Sequence, residues 1–307
     1  MISAKPLPFI IPKKPFDHPR RRLPERKHMT LVAGLSGFGG LVVFSDTQET
    51  VQGYAKKQMD KIDFWTSGPS GPGLLMGGAG SAIHIEKLNQ WIGPTVAGNV
   101  REGRDSDFII KHIEEAVAEF FKEHIWIRPV NDRPELEMLL ALQPNGSPAT
   151  LFHIAEGVMT MVAGHFKAIG IGSYLADFLF NKLSEFGQDE AEMIAIAAYI
   201  LKEVRTNIDG CGLEGAIWIL RPDGTRDLFA KEEIDELEGF IDLFDEIMGI
   251  AFDAAFDTTS GRSSPSHIAA LTEELNREYG KWLSSVNEQR MSKVKYYFER
   301  KDKLRGA

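Results

Sequence analysis

The order of strand and helix patterns along the chain constrains its fold most. Thr30-Leu-Val-Ala-Gly-Leu35 reads as a strand, Ser36-Gly-Phe-Gly-Gly40 as a tight turn, and Leu41-Val-Val-Phe-Ser45 as the returning strand. After a polar stretch, a short strand at Leu74-Leu-Met76 runs into Gly77-Gly-Ala-Gly80 and a helix beginning near Ser81. Residues 106–124 read as an amphipathic helix, with Ile109, Ile113, Ala116 and Phe120 on one face. Strands return near 136–142, 149–155, 158–163 and 166–170, followed by helices near 173–186 and 189–206. A closing strand pair at 214–220 and 226–229 flanks the turn Arg221-Pro-Asp-Gly224, and residues 231–258 read as an acidic helix. Runs of strands separated by paired helices argue for stacked layers, with helices outside and sheets between, and against alternating βαβ winding.

The two ends read differently. Residues 1–28 hold six prolines and show neither helical nor strand period. They carry eight Lys/Arg against Asp17 and Glu25, a balance of +6, so the net charge of −9 leaves −15 on the remainder. An acidic body argues against nucleic acid as a partner. The basic tail reads as a solvated tail, with contact to an anionic surface as the alternative. Beyond Ser260-Gly-Arg-Ser-Ser-Pro265, a helix is expected to about residue 300. Ile268, Leu271, Leu275, Tyr279, Trp282 and Val286 form its apolar stripe. The stripe is expected to pack on the protein's own core or on a neighbouring subunit. The expected units are a tail or propeptide over 1–28, a domain over 29–258 and a helical extension over 259–307.

Several chemistries are unsupported. No run of about 18 uncharged apolar residues is present, so no membrane helix is expected. The single cysteine, Cys211, precludes an internal disulfide and suits a reducing compartment, so a cytoplasmic location is expected. The glycines from Gly34 to Gly40 have the wrong spacing for a phosphate loop and lead into a strand. The eight histidines form no helical pair, so neither metal nor cofactor is expected. No Gly-x-Ser-x-Gly elbow occurs.

One constellation remains. Thr30-Leu-Val-Ala-Gly34 is followed by Gly39-Gly-Leu-Val-Val-Phe-Ser-Asp46-Thr-Gln-Glu-Thr50, by Asp60-Lys61-Ile62 and by Gly77-Gly-Ala-Gly-Ser-Ala82. In order and spacing it resembles the amino-terminal part of a proteasome β-type subunit, a member of the N-terminal-nucleophile hydrolases. The resemblance spans about residues 29–230. It implies a four-layer αββα sandwich of the α+β class and a threonine-type peptidase without cofactor. Thr30 falls at the nucleophile, Asp46 at the buried aspartate, Lys61 at the lysine and Gly80 at the glycine whose N–H forms the oxyanion hole. Gly170-Ile-Gly-Ser173 resembles the segment opening the third helix, with Ile171 in place of the family's first serine. Asn207-Ile-Asp209-Gly-Cys-Gly212 resembles a further supporting segment. Asp209 or Asn207 stands for its carboxylate and Cys211 for its serine. The resemblance also implies a peptide or protein substrate and a homo-oligomeric ring, and it leaves room for an ATP-dependent unfoldase as a partner.

The chemistry such residues permit is direct. A threonine hydroxyl needs a base within hydrogen-bond reach. An N-terminal threonine has one in its own α-amine, whose pKa of about 7.7–8.0 lies near working pH. A nearby lysine cation lowers that pKa, and a partly buried lysine needs a carboxylate, for which Asp46 is the candidate. Gly80 allows close backbone approach to an oxyanion. Thr30 is internal to this sequence. A start at Met29 with methionine removal, or cutting at Thr30 itself, would expose its amine; uncut, the chain would be a silent structural subunit. An amidase acting on a small molecule is the other enzymatic alternative. Plainer roles are a strand residue for Thr30, a turn residue for Asp46, a solvated cation for Lys61 and a helix cap for Ser173. By resemblance, Glu49, Met59, Asp63, Gly78, Ala82 and Glu86 line the pocket for the residue before the cut bond. Three carboxylates there predict a preference for Arg or Lys. The alternative has Glu49 and Glu86 facing solvent and Asp63 paired with a lysine.

Overall fold

A computed structural model describes residues 30–256, apart from 52–54, 67–72, 103, 145–147, 184–188, 213 and 230, together with isolated helical positions between 269 and 280. The expected basic tail and the apolar stripe of the last helix lie outside the described residues.

The front hairpin forms as the pattern predicts. Strands β1 (Val32–Gly37) and β2 (Gly40–Asp46) pair antiparallel, from Val32 opposite Ser45 to Gly37 opposite Gly40. Gly40 turns the corner at φ +124°, and a β-carbon there would lie 2.1 Å from the Leu220 carbonyl oxygen. The polar stretch that follows contains three strands absent from the sequence reading. β3 (Gln48–Val51) and β4 (Ala55–Gln58) pair with each other, and β5 (Ile62–Thr66) precedes β6 (Gly73–Gly80). The β3–β4 pair is rich in charged and amide residues, so no apolar alternation announces it.

Helices α1 (Ala82–Arg101) and α2 (Ser106–Phe120) come next, and α2 runs on as a single π turn through Ile125. Asp105 caps α2, accepting the Phe108 amide at 2.8 Å. Strands β7 (Leu136–Gln143), β8 (Thr150–Ala155), β9 (Val158–Met161) and β10 (Phe166–Ile169) follow, then α3 (Ser173–Leu183) and α4 (Glu190–Asn207). Asp189 and Glu192 start α4 with a reciprocal capping box. Strands β11 (Gly215–Leu220) and β12 (Arg226–Phe229) and helix α5 (Lys231–Phe256) close the described domain. Arg205 holds Glu238 at 2.6 Å and Lys202 holds Asp242 at 2.5 Å, tying α5 to α4.

The fold is mixed α+β with two antiparallel five-stranded sheets, ordered β10-β1-β2-β11-β12 and β5-β6-β7-β8-β9. The inner strands β2, β6, β7 and β11 read as largely apolar runs because both faces are covered. In β2, Val42 and Phe44 join a cluster with α3, α4 and α5, while Leu41 and Val43 face Leu75, Leu139 and Ala141 of the other sheet. In β7, Met138, Leu140 and Leu142 join a cluster with α1 and α2, while Leu139 and Ala141 turn to the first sheet. The strand period of two thus sends alternate residues into different clusters. Each buried large apolar side chain contributes about 1.5–3 kcal/mol before entropy is counted. Among the described residues, no helix is long and apolar enough to cross a membrane.

Candidate active site

Sheet pairing places the site. Val32 lies opposite Ser45, Val32 also opposite Ile169, and Asp46 opposite Gly215. The start of β1, the end of β2, the end of β10 and the start of β11 therefore meet at one end of the first sheet. Thr30 and Leu31 enter there, beside Asp46.

Asp46 is the hub. It is wholly buried, and Thr30 is 5% exposed. Its Oδ1 accepts the Thr30 hydroxyl at 3.1 Å, the Leu31 amide at 2.7 Å and the Lys61 ammonium at 2.8 Å. Its Oδ2 accepts the amides of Gln48 at 3.2 Å and Gly212 at 3.3 Å. A buried carboxylate is tolerable when its lone pairs are satisfied and a cation is paired with it. Five donors from four regions of the chain meet that requirement. Thr30, Asp46 and Lys61, separated by 16 and 15 positions, thus come together at one carboxylate oxygen.

The Thr30 backbone is fixed from the α3 side. Gly170 adopts φ +90°, and a β-carbon on it would lie 2.3 Å from the Thr30 carbonyl oxygen. The Gly172 amide donates to that same oxygen at 3.2 Å. Sequence reasoning noticed this segment but missed its contact with Thr30. The available signal was the Gly-x-Gly pair between a strand and a helix. Ser173 opens α3, half-buried, and its amide donates to Gly170 O at 3.1 Å.

Gly80 ends β6 at φ +113°, with the position of a β-carbon only 2.2 Å from Glu135 O, so the chain needs glycine there. Cys211 is buried beside this network. Burial, with the Asp46 charge, pushes its thiol up to about 12, so it is a neutral thiol. Asp209 is exposed and is not among the groups that bond Asp46, and Asn207 turns its amide to Glu203. The segment instead reaches Asp46 through the Gly212 amide.

The expected pocket residues are dispersed in their roles. Space beside Gly78 is filled by Ile85, whose Cγ1 would lie 2.8 Å from an added β-carbon, so the expected room for a long side chain is corrected. Asp63 accepts the Asn89 amide at 2.7 Å. Glu86 is exposed and bonds Gln90 at 3.2 Å, Met59 is 41% exposed, and Ala82 is exposed at the start of α1. Glu49 lies in β3, opposite Lys57. Among the described residues, no group of three His, Cys, Asp or Glu side chains is arranged to hold a metal.

The fold matches solved structures of Anbu. A Gly-1 mutant of Anbu from Hyphomicrobium sp. strain MC1 aligns over 74% of this chain and all of its own, with TM-score 0.59 and 15% identity. Anbu from the same strain aligns over 75% and 100%, with TM-score 0.57 and 16% identity. Anbu from Yersinia bercovieri, described as an ancestral β-subunit, aligns over 70% and 97%, with TM-score 0.54 and 14% identity. No protein-family model matches the chain, and no curated protein matches it. The resemblance to proteasome β-type subunits and N-terminal-nucleophile hydrolases is therefore corrected. The matched structures are of Anbu, at identities that carry the fold alone. The physical reason is that the motif pieces are single residues and short glycine runs, which fit a corner of the fold without separating one family from another.

Proposed function

We propose that the protein is a hydrolase that cleaves peptide bonds through Thr30, once the chain begins at that residue, as a subunit of an oligomeric assembly. The observation that carries the reading is the shared Asp46 oxygen, which takes both the Thr30 hydroxyl and the Lys61 ammonium. A structural corner has no need to bring a hydroxyl, a carboxylate and a lysine to one buried point. A buried ion pair that also takes a hydroxyl marks a candidate functional site. The three hydrophobic clusters support reading the layers as a four-layer sandwich.

In this mechanism the freed α-amine of Thr30 takes the hydroxyl proton as Oγ1 attacks the substrate carbonyl. Lys61 keeps the amine neutral by its charge, and Asp46 keeps Lys61 charged. The Gly80 N–H meets the oxyanion of the tetrahedral intermediate. The C–N bond then breaks, the leaving amine receives the proton, and an ester on Thr30 remains. Water attacks that ester, and its proton returns through the amine.

The reading includes a leader over 1–28 and a helical extension over 259–307 that takes part in assembly as a homo-oligomeric ring. A lone buried thiol suits the cytoplasm. The description of one matched structure as a β-subunit supports assembly. Mass spectrometry of the protein from its native cells, with fluorogenic peptide assays of the same sample, tests it. A terminus at Thr30 with cleavage supports the reading. An intact leader and no cleavage would leave a structural subunit.

A further inference from the structure

The corner carrying Gly80 is held by a side-chain pair that the proposed mechanism does not use. Ser81 follows Gly80 and precedes α1. Its amide donates to Glu135 O at 2.9 Å, and its carbonyl accepts the amides of His84 and Ile85 at 3.0 and 2.9 Å. Its hydroxyl lies 2.8 Å from Nδ1 of His84, one helical turn on. His84 is buried, at 8% exposure. Glu135 O is also the atom that leaves no room for a β-carbon on Gly80. Ser81 is thus held through its amide by Glu135, just before β7, and through its hydroxyl by the imidazole.

We propose that His84, acting through the Ser81 hydroxyl, is a positioning residue that fixes the turn at Gly80–Ser81 and, through it, the adjoining Ala79–Gly80 peptide whose Gly80 N–H meets the oxyanion. Its catalytic consequence rests on the hydrolase reading above; the coupling of imidazole to peptide does not. Burial first, and then the charges of Arg128, Lys87 and His124, hold the imidazole below its ordinary value, so it is neutral near pH 7. Lys87 lies on α1 with His84, His124 on the π turn after α2, and Arg128 on the loop beyond it. A neutral Nδ1 can accept the Ser81 proton, whereas an imidazolium can only donate. As pH falls through the His84 pKa, which lies below about 6.5, the Ser81 bond must reverse and the Gly80 peptide must respond.

Two readouts test this. In the full chain, labelling alanine carbonyl carbons and glycine nitrogens restricts the spectrum to four Ala-Gly pairs, Gly80 among them. The Gly80 amide is expected to shift with the titration of the His84 ring, and to lose that shift in Ser81→Ala. In the form that cleaves peptides, His84→Ala is expected to lower kcat by about ten- to a hundredfold, with KM within about twofold. His84→Asn, which can still meet the Ser81 hydroxyl, is expected to restore most of kcat while removing the pH-dependent shift of the Gly80 amide. A Gly80 amide unmoved through the His84 titration, or an unchanged kcat in His84→Ala, overturns the proposal. Absence of any cleavage by a chain beginning at Thr30 would sink the hydrolase reading, while the amide titration would still decide the positioning role.

Discussion

Lys61 Nζ lies 2.8 Å from Asp46 Oδ1, with the two side chains 11% and 0% exposed. The pair has little contact with water, so its electrostatics are weakly screened. Removing one partner strands a buried charge. Lys61→Met is expected to cost about 3–5 kcal/mol of stability in urea unfolding. Asp46→Asn is expected to cost a similar amount. In either amide orientation, its NH2 group faces backbone donors: Gln48 and Gly212 on one side, Leu31 on the other. Unfolding midpoints equal to the parent's in both variants would refute the hub role of Asp46.

The nucleophile is separable from the fold. Thr30→Ala removes one of five donors to Asp46, which should cost about 0.5–1.5 kcal/mol. It should also abolish peptide cleavage, while Thr30→Ser retains part of it. Lys61→Ala is expected to lower cleavage by at least about a hundredfold. Fluorogenic peptide turnover by Thr30→Ala at the parent's rate would disprove the mechanism.

Gly170→Ala meets two obstacles at once, a φ of +90° and the Thr30 carbonyl oxygen 2.3 Å from the new β-carbon. Displacing Thr30 by even an ångström should lower cleavage by about a hundredfold. Ala176, one turn into α3 and also buried, tolerates a small change better, so Ala176→Ser serves as the comparison. Equal losses in both variants would show general damage instead of a specific grip on Thr30.

Cys211 should resist alkylation. Its thiol is pushed up to about 12 by burial and the Asp46 charge, so almost no thiolate exists at pH 8. Because the folded pKa lies above the unfolded one, the associated stability is full below the unfolded thiol value. It is lost as pH rises from there through about 12. Iodoacetamide at pH 8 is expected to label the unfolded chain and leave the folded one unlabelled, as read by intact mass. Rapid labelling of the folded protein would contradict the buried placement.

The element order, the front hairpin and most of the helices were legible because each is written in local periodicity. Val42 and Phe44 alternate with Leu41 and Val43, and Ile109, Ile113 and Phe120 mark the buried face of α2. The β3–β4 pair was not legible, because short polar strands carry no such period. Thr30, Asp46, Lys61 and Gly80 were singled out by a family resemblance in their order and spacing, and the first three meet at one carboxylate.

Spacing did not reveal what surrounds them. Asp209 lies at the surface while the neighbouring Gly212 amide reaches Asp46, and Ile85 fills the space that Gly78 was expected to leave open. The sequence by itself determined most of the strands and helices, all but the short β3, β4 and β5, since these follow from local periodicity. Only the tertiary structure decided which backbone amides converge on Asp46 and which side chains occupy the pocket. Those contacts join residues as far apart as 46 and 212, and their geometry is set by how sheets and helices pack.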